Sequence, residues 1–196
     1  MLNRMQVKRH RVFKFISLLG LGLCLATQSL GTSCSKGVIK KDLEPKGTWA
    51  CDKESDEAML RKDYEASIPL HHRFLQKDPA NGLALYHLGY AYGQLGDHLK
   101  EVSYYEKAIT VGFKRDHIFF NLAMAFGELN QTENAIRAFK EALHIDPRHL
   151  DARLHLSILY AEIGEARKAC EQLHTILEMD PTNEEARRFL DSLERE

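Results

Sequence analysis

The sequence lacks the short motifs on which most enzyme chemistry is built. It has no glycine-rich phosphate loop, no nucleophile elbow and no helix-borne pair of metal-binding histidines. Cysteine is scarce, four in 196 residues, and no two cysteines stand at metal-site spacing. The ten histidines are dispersed, and the adjacent His71 and His72 must point to different sides of any helix. No catalytic residue, metal ligand or cofactor is therefore expected. There is also no apolar run of the about 20 residues needed to cross a bilayer. The longest, from Phe15 to Leu25, falls well short. Nor is there an excess of positive charge, the formal net charge being −1.

That balance conceals an asymmetry. The first fourteen residues contain no acid and five bases, Arg4, Lys8, Arg9, Arg11 and Lys14. Without those five, 22 basic side chains face 28 acidic ones, a net of −6. An acidic body excludes nucleic acid as a partner, because phosphate charge dominates that affinity. The basic start, the short apolar core and the small or polar residues from Ala26 to Ser33 have the layout of a signal peptide over 1–33. Export is expected. Gly31-Thr32-Ser33-Cys34 resembles a lipobox, with Leu30 one place too early for the usual pattern. Two outcomes stay open: a lipid on Cys34 that anchors the protein, or cleavage near Ser29 or Ser33 that frees it into the periplasm. An uncleaved signal anchor is the third route to a membrane. Cys24 leaves with the signal and Cys170 reads as a small buried hydrophobe. Cys34 and Cys51 could pair in an oxidising compartment unless Cys34 is lipidated.

What the sequence does have is a repeat. A shift of 34 residues superimposes Leu88, Leu122 and Leu156, then Gly89, Ala123 and Ser157, then Tyr92, Phe126 and Tyr160. Gly96, Asn130 and Gly164 coincide, as do Tyr105, Phe139 and Leu173, and Ala108, Ala142 and Ile176. Asp-Pro recurs at 78–79, 146–147 and 180–181. Each class has a physical task. The small residues allow a close helix approach, and the aromatics three places on fill the space beside it. Gly96, Asn130 and Gly164 supply the left-handed residue that ends a helix. Val102, Tyr105, Ala108 and Ile109 then give a second helix its apolar side, and proline stops it.

Two helices of about 13 residues per 34-residue unit resemble the tetratricopeptide repeat family. The matching units are 82–115, 116–149 and 150–183, and 184–196 resembles the helix that caps such arrays, with Ala186, Phe189, Leu190 and Leu193 on one side. A degenerate unit is expected over 55–81. Its first helix, around Ser55 to Arg61, lacks the leucine and small residue, and Pro69 falls in the first turn of its second helix. Residues 34–54 read as a tether. Glu101 replaces the family's alanine, so looser packing or a carboxylate reaching out to water is expected there. Phe113 replaces the terminal proline, with Gly112 ending the helix instead. Both departures fall at the join between the first two full units, the expected weak point.

The resemblance implies an all-α, right-handed superhelical array of antiparallel helix-turn-helix repeats with a C-terminal capping helix, and a non-enzymatic function in binding protein. It implies a concave groove lined by Tyr86, Tyr90, Phe120, Met124, Leu154 and Ile158, with His87, Asn121 and His155 beside them. Tyr86, Phe120 and Leu154 form one apolar row, and Tyr90, Met124 and Ile158 a second. Either the rows receive an apolar peptide or helix of another protein, or they pack against the next repeat. A structural subunit that self-associates through these rows is the alternative function. Family members that grip a C-terminal carboxylate use basic groove residues. Only Asn121 matches that set, since Tyr86, Tyr90, Asp151 and His155 stand at its other positions.

Overall fold

A computed structural model of the protein describes residues 51–195. The expected signal peptide, Cys34 and most of the expected tether lie outside the described residues. Those described form helices only: α1 Lys53–Leu60, α2 Tyr64–Leu75, α3 Gly82–Gln94, α4 His98–Thr110, α5 Asp116–Glu128, α6 Thr132–Ile145, α7 Leu150–Glu162, α8 Ala166–Met179 and α9 Glu184–Leu193. Successive helices pack on one another along the chain, and the first helices α3 and α5 also touch. This is an all-α helical repeat array.

The 34-residue period is built into the backbone. Lys62, Gly96, Asn130 and Gly164 take φ of 60°, 80°, 58° and 82°, a left-handed residue at the same place in each unit. The following amide reaches back five residues in every case: Asp63 to Ala58, Asp97 to Tyr92, Gln131 to Phe126 and Glu165 to Tyr160, at 2.8–3.0 Å. Each corner is thus a Schellman turn that satisfies the carbonyls left free at a helix end. Gly112, at φ 97°, closes α4 in the same way, with Phe113 N–H donating to the Ala108 carbonyl. That glycine does the work of the missing proline, as expected.

Side chains start the helices. Asp52, Asp63, Asn81, Asp97 and Asn183 each accept a hydrogen bond from the backbone amide three residues on. His149 does the same for α7 through a ring nitrogen, 3.3 Å from Ala152 N. The core then follows the period. Leu88, Leu122 and Leu156 are all buried, as are Gly89, Ala123 and Ser157 beside them and Tyr105, Phe139 and Leu173 opposite. A Cβ on Gly89 would lie 2.5 Å from the Tyr105 ring, so the small residue is what lets α3 meet α4.

The N-terminal unit differs from expectation in two ways. Its first helix does carry the small residue: Ser55 lies 34 places before Gly89 and is fully buried. Glu54 at the leucine position masks that register in the sequence. The helix also begins at Lys53, two residues inside the expected tether. Pro69 is not in a first turn, because the Asp63 cap starts α2 at Tyr64 and leaves the proline in the helix interior. It sits on the exposed side, where solvent reaches the carbonyl it leaves without a partner. At the other end, α9 lays Ala186 and Leu190 over Leu173 and Ile176, with Phe189 and Leu193 packed at the margin.

Candidate functional site

The first helices α3, α5 and α7 bring the nine groove residues into register, and the structure sorts them into two kinds. Tyr86, Phe120 and Leu154 span the seams between units. The Tyr86 ring stacks on Tyr105 at 5.6 Å and meets Phe113 at 5.7 Å and His117 at 5.0 Å. Its hydroxyl accepts a hydrogen bond from Asn121 Nδ2 at 3.1 Å, so Asn121 serves as a cross-link between the first two full units. Burial raises the Tyr86 phenol above its ordinary value.

One unit on, Phe120 stacks on His149 at 4.9 Å and meets Phe139 and His155 edge-on, both at 5.7 Å. His155 lies parallel to Phe139, and burial among these rings lowers its imidazole pKa. Leu154 packs on the cluster closed by α9. For this row, packing against the next unit describes the side chains.

The second row is half-buried, as is the first. Tyr90 leans on Tyr64 and Tyr86, at 6.0 and 6.4 Å, while Met124 and Ile158 are half-buried at equivalent places on α5 and α7. His87 leaves the groove altogether. It is 8% exposed, and its Nδ1 lies 3.0 Å from Nε2 of the fully buried His71. Burial, together with His71 and His117, depresses its imidazole to about 3. Cys51 and Asp56 approach the same point, although from the sequence His87 is expected in the groove and Cys51 opposite Cys34. His72 points elsewhere, towards Tyr92 and Tyr104.

The join between the first two full units corrects another expectation. Glu101 neither loosens the packing around it nor reaches water. It is 8% exposed, accepts a hydrogen bond from His98 Nδ1 at 2.8 Å, and fills the space over Gly93. Phe113 is likewise buried. On the second-helix side of this join a cleft of about 420 Å³ opens between α4 and α6, floored by Phe119, Leu122 and Phe126 of α5. Leu99 stands at its rim, 70% exposed.

The regular corners, the small-residue contacts and the nested first helices are matched elsewhere. Two tetratricopeptide repeat profiles match the chain, over residues 83–111 and 128–193. No curated protein sequence matches it. Among solved structures it is similar to the MamA protein, with a TM-score of 0.67 and 21% identity over 71% of this chain and 76% of that one. It is similar also to YrrB, described as a TPR protein with an unusual peptide-binding site, with a TM-score of 0.63 and 20% identity over 67% of this chain and 68% of that one. The first TPR domain of Spaghetti (RPAP3), bound to HSP90 peptide SRMEEVD, gives a TM-score of 0.54 and 19% identity over 58% of this chain and 90% of that one. With the 34-residue corners seen in the backbone and both profiles falling on them, residues 83–111 and 128–193 of this chain are tetratricopeptide repeats.

Proposed function

We propose that the protein is a non-catalytic scaffold of a bacterial cell envelope that takes an apolar segment or helix of another protein along its first helices. The observation that carries this is the row Tyr90, Met124 and Ile158, two places beyond the buried leucines, where apolar side chains stay partly exposed unit after unit. Partly exposed apolar residues in a continuous line mark a partner surface more often than isolated ones do. Two structures similar in fold are described by their peptide sites or bound peptides, which supports a protein partner. The basic-then-apolar N-terminus supports export, with attachment through Cys34 or release by cleavage, a choice settled by the mass of the N-terminal peptide.

Photo-crosslinking tests the groove. Benzoylphenylalanine at Met124 or Ile158 of the full chain should trap a partner in the membrane fraction, whereas the same group at Glu141, on the second-helix side, should not. Glutamate at both Met124 and Ile158 should abolish the trapping with helicity and melting temperature unchanged. Collapse of helicity would make the row core. Crosslinks to this chain alone would favour self-association.

A further inference from the structure

The N-terminal unit is polar where its sisters are apolar. Thirty-four residues before Tyr105, Phe139 and Leu173 stands His71. In the same register Asp56 precedes Tyr90, Met124 and Ile158, and Cys51 precedes Leu85 and Phe119. His71 and Asp56 thus stand where all three later units have core or groove hydrophobes, and Cys51 where the first two do and the third has Arg153; all three carry side chains with lone pairs. His87, from the first turns of α3, is the fourth.

The fold draws these four to one point. Cys51 Sγ, a carboxylate oxygen of Asp56, and one ring nitrogen each of His71 and His87 lie within 4.8 Å of one another. His87 Nδ1 is 3.0 Å from His71 Nε2, 3.5 Å from Asp56 Oδ1 and 3.8 Å from Cys51 Sγ. His71 Nδ1 is engaged at 2.9 Å by the Ser67 carbonyl, to which it must donate, so Nε2 presents a lone pair to the cluster. A proton on His87 Nδ1 then faces three acceptors at once and serves one well. Asp56 Oδ1 is buried with no hydrogen-bond partner. Buried polar atoms are ordinarily satisfied, and four convergent lone pairs are satisfied together by a cation at their centre.

The separations suit such an ion. Zinc bonds of about 2.0–2.3 Å place tetrahedral ligand atoms roughly 3.3–3.7 Å apart; the three distances from His87 Nδ1 span 3.0–3.8 Å, and all four atoms lie within 4.8 Å of one another. A thiolate with two imidazoles selects against calcium and magnesium, which take oxygen ligands. The His71–Ser67 bond is the outer contact that fixes tautomer and ring orientation in metal-binding histidines. We propose that Cys51, Asp56, His71 and His87 bind one zinc-class divalent cation. All four ligands come from the chain, as in structural sites, which leave no position open for a substrate. The ion ties the segment just before α1, α1 itself, α2 and α3 together, and so fastens the degenerate unit to the first full repeat. Binding transfers the Cys51 thiol proton to solvent, and a ligated Cys51 is not available to pair with Cys34.

The test uses the full chain stripped of metal and titrated with Co²⁺, then Zn²⁺. One equivalent of Co²⁺ should give the intense visible bands of a tetrahedral site and a sulfur-to-cobalt charge-transfer band, both displaced by Zn²⁺, and Zn²⁺ should raise the melting temperature. Cys51→Ser should remove the charge-transfer band and weaken zinc binding more than about 100-fold. His71→Phe restores the ring type of Phe139, so it keeps the fold while losing the site, and should bind no tetrahedral cobalt. Weak octahedral spectra, or spectra unchanged in both variants, overturn the proposal.

Discussion

Where Ala135 and Ala169 sit in the later units, Glu101 brings a carboxylate into the contact between α3 and α4, and two neighbours make room for it. A Cβ on Gly93 would fall 2.4 Å from that carboxylate, and His98 supplies the hydrogen bond. Burial raises the Glu101 pKa above its ordinary value of 4.5, with His98 opposing. The sign follows from proton counting. Above pH 4.5 the folded chain holds a proton that the unfolded chain has released, so stability falls as pH rises through the folded value. Glu101→Gln keeps an acceptor for His98 and removes the charge. Thermal melts should show the variant more stable than the parent at pH 7 and level with it below pH 4.5; a parent that is more stable at pH 7 would refute this. From the sequence, a charged residue at an alanine position reads as one that reaches for water. Its burial was hidden because it depends on a glycine eight residues earlier lying across the helix pair.

Helix ends were legible wherever residue type and backbone agreed. Gly96, Asn130 and Gly164 announce left-handed corners, and the structure has them there. Lys62 makes the same corner at φ 60° with a side chain that gives no hint of it. Only the period locates it. An L-residue in this region costs about 1–2 kcal/mol, offset in part by the greater freedom glycine has when unfolded. Lys62→Gly should therefore stabilise the protein by about 0.5–1 kcal/mol. A rise in the urea midpoint at constant slope is the expected result, and a fall would show that the corner is not strained. Pro69 teaches the converse. Its place in a helix was legible, but its position within that helix was set by Asp63 and by packing, not by the proline.

Across the whole array, sequence spacing gave the order of units and the side of each helix on which Tyr86, Phe120 and Leu154 fall. It could not tell whether that side closes on the next unit, because periodicity fixes register within a unit and not the gap between neighbours. The cluster around His71 escaped notice for a related reason. Metal motifs are sought at short spacing on one element, and these residues come from different elements, with Cys51 and His87 36 positions apart. The C-terminal end was plainer. Ala186, Phe189, Leu190 and Leu193 declared their apolar side, and α9 uses it to cover Leu173 and Ile176, both 0% exposed. Ending the chain at Asp180 should bare those two and cost at least about 3 kcal/mol, since burying one such side chain is worth about 1.5–3. Light scattering should then detect association at concentrations where the full chain is dispersed. An unchanged melting temperature would deny α9 its role as a cap.

The equal spacing of the corners also bears on how such a molecule could change over generations. A duplicated stretch 116–149 would meet upstream and downstream faces of the kind it already meets, while the unit holding His71 and the closing helix α9 stayed at their own ends. Reach along a partner could grow by whole copies without redesign of either terminus. An insertion of another length inside a helix would turn the leucine that follows it there off the packed side.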